Sequence, residues 1–310
     1  ETWAAPFLIA AGIALLVWAL NRMSDTEGGI SAVFSSTTNY QNGEGFWTVF
    51  FPMLTAMVGF WATLSLNIPD FTRYCRSQKD QAAGQLIGLP PTMTLFCFIG
   101  IIVTAATVII FGEAIWDPIL LVQQMGSKTV VVISMLALLL ATLSTNLAAN
   151  VVSPANGFSN LAPRLISFRV GALMTCVFGV VIMPWRLLDS MGDYIFTWLI
   201  GYSALLGPIA GIMICDYFIV RRTRIDVDAL YDPRGRYAGV NWVAIVALVL
   251  AVLPNIPGFI NAVTLSAGTV EAYFPPIWDT LYTYAWFVGF GIGMLVYAAG
   301  MTASRDTNTT

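Results

Sequence analysis

The sequence predicts an all-α integral membrane protein with eight transmembrane helices. Three observations predict it. Of the 310 residues, 57% are hydrophobic and only 10% charged, against roughly 25% charged in a soluble domain, so there are too few polar residues to cover a water-exposed surface. Apolar runs of bilayer length recur along the whole chain without the short alternation of barrel strands. Basic residues are concentrated in every second loop. The composition also excludes other classes. A net charge of −3 offers no basic field for nucleic acid. The absence of histidine removes histidine bases, histidine proton relays and most zinc or haem sites. Cys75, Cys97, Cys176 and Cys215 lack CxxC spacing and read as small buried residues.

The first run, Ala4–Leu20, lacks the basic start of a signal peptide and is followed by further spans. The chain begins at Glu1 almost directly on this span, so it reads as the C-terminal part of something longer; a trimmed product reads the same. The second run, Phe46–Asn67, places Gly59 in mid-span, followed by Phe60 and Trp61. Gly59 fits either close helix packing or a broken helix that exposes backbone to a ligand. Trp61 lies away from the interfaces that tryptophan favours, so it is either a packed core ring or a stacking platform for a planar ligand.

Met93–Phe111 is the third run and Val130–Val152 the fourth. The fourth holds the most polar membrane stretch, Ala141 to Asn150. At 100° per residue, Ala141, Ser144, Thr145, Ala148 and Ala149 share a small-residue face, with Asn146 and Asn150 stacked beside it. Two readings fit: interhelical hydrogen bonding, or a hard-cation site of hydroxyl and carbonyl oxygens. The turn formers from Ser153 to Pro163 are expected to end this span.

Val170–Trp185 and Thr197–Val220 are the fifth and sixth runs, Trp242–Pro254 with a ragged continuation the seventh, and Thr283–Met301 the eighth. Pro208, between Gly207 and Gly211, marks either a kink or gate or ordinary packing. Asp216 is expected to pair with Arg221 or Arg222. Eleven of the 14 basic residues follow the even-numbered spans; Arg22, Lys128 and Arg186 lie on the other side. That split predicts cytoplasmic termini in a cell membrane.

Several motifs together resemble the nucleobase–cation symporters, the family of hydantoin, allantoin, uracil and cytosine permeases. Asn67-Ile68-Pro69-Asp70-Phe71-Thr72-Arg73-Tyr74 with Gly84-Gln85 and Gly88-Leu89-Pro90 is similar to the segment after the family's sixth helix. Asn146 to Asn150, with Ser153-Pro154 and Ser159-Asn160-Leu161, is similar to the eighth, and Gly207-Pro208-Ile209 through Asp216-Tyr217 to the tenth. The resemblance implies a leucine-transporter-like inverted-repeat fold of which this chain carries family helices five to twelve. It would be one transmembrane domain over residues 1–310, with the second repeat at about 46–220 and two extra helices at about 240–301. The first four helices are expected as a partner segment from the complete chain.

Residue by residue, the resemblance implies that Trp61 stacks on the substrate ring, with Gly59 and Phe60 at the helix break, and that Asn150 hydrogen-bonds its amide edge. It implies that the Ala141 carbonyl and the Ser144 and Thr145 hydroxyls hold sodium, and that Leu205 or Leu206 is the gate. The expected function is cation-coupled import of a planar heterocycle such as uracil, cytosine, allantoin or a hydantoin, without enzymatic activity or a resident cofactor. Sodium is expected over protons because the span-four face has no titratable group. The alternative is a non-transporting scaffold or sensor, or an inactive fragment of such a transporter.

Overall fold

The computed structural model describes residues 4–26, 28–36, 45–124, 128–185, 197–232, 234–268 and 271–307. Glu1 and Arg186, both used in the sequence reading, lie outside them. The described residues form helices joined by turns and irregular loops, and no strand occurs among them. In chain order the helices are α1 (Ala4–Ser24), α2 (Ser31–Ser36), α3 (Phe46–Trp61), α4 (Leu64–Asn67), α5 (Pro69–Thr72), α6 (Gln78–Phe111), α7 (Pro118–Gln123) and α8 (Lys128–Asn146). Then follow α9 (Val152–Leu161), α10 (Phe168–Val181), α11 (Ile200–Ile214), α12 (Val227–Leu230), α13 (Trp242–Val252), α14 (Ile256–Ser266), α15 (Pro276–Thr283) and α16 (Ala285–Thr307).

Six of the eight expected spans are long and apolar enough to cross a membrane: Pro6–Ser24, Gln78–Phe111, Val131–Leu161, Thr197–Val220, Trp242–Ser266 and Ala285–Ala303. The other two appear as shorter apolar helices, Phe46–Trp61 and Phe168–Val181.

Three of the boundaries that differ from the sequence expectation have a local cause. The third span begins at Gln78, not Met93. Ser77 caps it by accepting from the Asp80 amide at 3.1 Å, and the left-handed Gly112 (φ 81°) ends it. At 34 residues it runs roughly 50 Å, well beyond a hydrocarbon core of about 30 Å. Hydropathy marks the part in lipid, whereas the cap marks the helix. Pro90 and Pro91 lie inside it, and the Thr94 hydroxyl donates to the Pro90 carbonyl at 2.8 Å.

The fourth span does not end at Ser153-Pro154. A π turn, Leu147–Val151, carries α8 straight into α9. Pro154 has no N–H, and it follows a turn whose ladder is already rearranged, so the helix accepts it. The seventh span likewise runs on to Ser266 through a three-residue 3₁₀ turn at Leu253–Asn255. The cysteine expectation is also corrected: only Cys215 is buried, and Cys75, Cys97 and Cys176 are exposed. In a membrane chain an apolar surface is stable against lipid, so low polarity does not imply burial.

The chain divides into two compact units. The first comprises residues 1–42 and 69–181. Here Ala19 and Met23 of α1 pack with Ile99, Ile102, Val103 and Ala106 of α6. The second comprises residues 43–68 and 182–310. Its main seam joins α11 to α16 through small residues. A Cβ on Gly207 would strike the Trp286 carbonyl, and one on Gly211 the Phe290 carbonyl. Pro208 sits against Gly289 and Gly293 in return. These paired glycines, four apart on each helix, let the two backbones touch. Pro208 therefore packs in a seam.

Candidate functional site

The expected site residues fall in both units: Gly59, Phe60, Trp61, Leu205 and Leu206 in the second, Ala141, Ser144, Thr145 and Asn150 in the first.

In the second unit α3 ends at Trp61, and a turn at Ala62-Thr63 separates it from α4. The break lies just past Gly59. The Ala62 amide closes it with a short-range bond to the Gly59 carbonyl at 3.3 Å. Gly59 itself is buried, and a Cβ there would collide with the Ser203 hydroxyl and the Leu199 carbonyl. The Ser203 hydroxyl donates to the Leu199 carbonyl at 2.8 Å and to the Thr55 carbonyl at 3.2 Å, pinning α3 to α11. Gly59 thus serves close helix packing, and that packing sets where Trp61 stands. Phe60 and Trp61 meet edge to face at 5.4 Å. Trp61 remains 41% exposed and borders an open hollow with Met57, Val58 and Ala62. On α11, Leu206 is buried whereas Leu205 is exposed.

In the first unit Ala141 is buried, Ser144 half-buried and Thr145 exposed on α8. Ala141 also lines an apolar cavity of about 450 Å³ between α1 and α8, together with Trp18, Ile133 and Ala137. Among the described residues no three His, Cys, Asp or Glu side chains gather as a metal site. A cation held on α8 would therefore meet only neutral oxygens: two hydroxyls and a carbonyl. Oxygen donors of this kind suit a hard cation. Asn150 donates from Nδ2 to Asn146 Oδ1 at 2.9 Å. Both stand at the π turn, which the sequence did not signal beyond its run of asparagines and alanines. π turns inside helices recur at functional sites.

One polar cluster was only partly legible. Asp216, in a second π turn (Cys215–Val220), receives Arg221 Nε at 2.5 Å, as the sequence suggested. It also accepts from the Tyr297 hydroxyl of α16 at 2.7 Å. Asn241, which caps α13, donates to that hydroxyl at 3.0 Å. Arg221 lies over the Tyr237 ring at 4.4 Å, and Arg222 takes no part in the pair. The cluster ties the ends of three spans together, a role no local motif encodes.

Comparison with known proteins agrees with this architecture. The purine-uracil permease of Arabidopsis thaliana is 45% identical over 282 residues, 88% of this chain and 46% of the permease. The allantoin permease of Bacillus subtilis is 38% identical, over 96% of this chain and 57% of its own length. This chain thus spans about half the length of such relatives, which are permeases and not enzymes. Among solved structures, Mhp1 in a closed conformation with bromovinylhydantoin bound, described as a nucleobase–cation symport family transporter, superposes with a TM-score of 0.71 at 26% identity. That match covers 98% of this chain and 62% of Mhp1. The inward-facing form of Mhp1 gives 0.70 at 27% identity. The model of permeases for cytosine/purines, uracil, thiamine and allantoin matches residues 1–289, and the chain belongs to this nucleobase–cation symporter family of multi-pass membrane proteins.

Proposed function

We propose that the chain forms the substrate- and cation-binding part of a sodium-coupled importer of a planar, amide-edged heterocycle. The observation that carries this reading is Trp61: a half-open indole at the end of a broken membrane helix, backed by Phe60 and held by the α3–α11 contact. An indole face left open this way stacks on any flat ring. Asn150 supplies the complementary edge. One of its N–H groups is committed to Asn146; the carbonyl oxygen and second N–H are the acceptor and donor that a cyclic amide requires. Relatives named for uracil, allantoin and hydantoin all point to such ligands.

Ser144 and Thr145, with the Ala141 carbonyl, hold the sodium ion, and the remaining oxygens come from elsewhere in the bundle. Of the two gate candidates Leu205 is the better, because a gate needs a side chain free to swing and Leu206 is packed in the core. Sodium and substrate both favour the same state, and that shared preference is what couples them. The protein sits in the cell membrane with both termini cytoplasmic. The test is uptake of labelled uracil, allantoin and hydantoin by the complete protein as the cell makes it, with sodium replaced by choline at fixed pH. Uptake of at least one should fall sharply in choline. Equal uptake in both, with no loss in a Ser144→Ala, Thr145→Ala double variant, would remove sodium from the mechanism.

A further inference from the structure

Two of the basic connections between spans lie together in the first unit. One, between α5 and α6, carries Arg73, Arg76 and, at the start of α6, Lys79. The other, between α9 and α10, carries Arg164 and, in the first turn of α10, Arg169. Asn156 Nδ2 on α9 donates to Asp70 Oδ1 on α5 at 3.2 Å and joins the two. Both connections are ordered. The Cys75 amide donates to the Thr72 carbonyl at 2.9 Å, and the Ile166 amide to the Ala162 carbonyl at 2.8 Å. The Ser159 hydroxyl donates to the Ile166 carbonyl at 3.0 Å, so Arg164 and Leu165 stand in a braced turn.

This patch does not suit water alone. All five basic residues are exposed, and among the described residues none of them lies within ion-pair distance of a carboxylate. Only Asp70, held by Asn156, and Asp80 oppose them in these segments. Large apolar and aromatic groups stand beside the charges. Leu165 is 85% exposed, Leu161 81% and Tyr74 78%, and Leu86 and Ile87 are exposed two turns along α6 from Lys79. Water solvates the first set and not the second, whereas hydrocarbon does the reverse. A phospholipid with an acidic headgroup satisfies both, its phosphate beside the arginines and its chains along the leucines.

The basic loop of the second unit, residues 221–236, supplies a contrast. It has as many basic residues, yet Arg221 is paired with Asp216, and Asp226, Asp228 and Asp232 are interleaved with the rest. Its charges nearly balance, so it has little field with which to select an anion.

We infer that the patch formed by the α5–α6 and α9–α10 connections is a binding site for an acidic phospholipid of the phosphatidylglycerol class. Clusters of four or more Lys and Arg at span ends recruit such lipids, each residue adding up to about fivefold in affinity. The site is independent of the substrate reading at Trp61 and of which leaflet the patch faces.

The test is native mass spectrometry of the complete protein in detergent, titrated with phosphatidylglycerol and with phosphatidylcholine of the same acyl chains. Phosphatidylglycerol should bind saturably and at least about tenfold more tightly. Arg73→Gln, Arg76→Gln or Arg164→Gln alone should each reduce that preference by up to about fivefold, and the three combined with Arg169→Gln should erase it. The matching set in the other loop, Arg222→Gln, Arg224→Gln, Arg234→Gln and Arg236→Gln, should leave it in place. Three results would overturn the site: equal binding of the two lipids to the unmodified protein, meaning hydrocarbon contact only or a patch covered by the rest of the chain; equal loss of preference in the two combined variants, meaning a diffuse field without a site; or displacement of phosphatidylglycerol by inorganic phosphate, meaning a site for free anions. The first comparison needs no variant, so a misfolded substitution would not leave the inference untested.

Discussion

Two spans of similar hydropathy are treated differently by the fold. In its most apolar 18-residue stretch, half of Thr197–Val220 is buried, against 6% of the corresponding stretch of Val131–Leu161. The first is locked by backbone contact: Gly207 and Gly211 on α11 meet the Trp286 and Phe290 carbonyls of α16, and Ser203 bridges to α3. The second carries hydroxyls and asparagines on a small-residue face, yet Thr145, Asn146 and Asn150 stay exposed. Small residues therefore mean two things in one chain. Glycine opposite glycine brings backbones together; alanine, serine and threonine beside asparagine leave polar groups accessible, a costly arrangement in lipid unless a ligand or further helix meets them.

The largest expected effect breaks the buried side of the contrast. Gly211→Leu forces a side chain into the Phe290 carbonyl and should destabilise the protein by about 3 kcal/mol, read as a lowered midpoint in thermal unfolding. Ala148→Leu, at a half-buried position on the polar span, should change stability by less than about 0.5 kcal/mol while abolishing uptake. Equal losses of stability would show that both faces are packing surfaces.

Trp61→Ala should weaken substrate binding by about 1–3 kcal/mol, the range for a base stacked on an aromatic ring, measured by equilibrium binding of labelled ligand. Because the ring is half-open, the unfolding midpoint should hardly move. A large drop in that midpoint with unchanged binding would make Trp61 a structural residue.

The paired change Ser144→Ala, Thr145→Ala should raise the sodium concentration for half-maximal uptake about tenfold, equivalent to about 1.4 kcal/mol, with stability unchanged. An unaltered sodium dependence would sharpen the contrast differently, leaving the polar face to the substrate alone.

The smallest effect lies at the Asp216 cluster. Asp216→Asn removes the ion pair with Arg221 but keeps an acceptor for Tyr297, and the pair is partly solvated. A loss of about 1 kcal/mol is expected. A double-mutant cycle with Tyr297→Phe should give positive coupling, and zero coupling would show that the cluster does not brace the span ends.

Much of this was legible from the residues alone. The helical class, the multi-pass character, the family motifs, the mid-span Trp61 and the Asp216–Arg221 pair all follow from local composition and short spacing. Apolar length and side-chain chemistry act within a few residues of each other, so the sequence displays them directly. What it could not display depends on partners far along the chain. Gly59 was compatible with packing or exposure, and the arrival of Leu199 and Ser203 decided for packing. Leu205 and Leu206 were equivalent until α11 was docked and one of them became core. The π turn at Leu147–Val151 and the 3₁₀ turn at Leu253–Asn255 let proline-containing segments continue as helices that local rules would end. Sequence by itself determined which segments prefer lipid to water, because transfer energies add residue by residue. Only the tertiary structure decided which face of each segment is covered and where each helix yields, because those outcomes depend on close contact between helices distant in sequence.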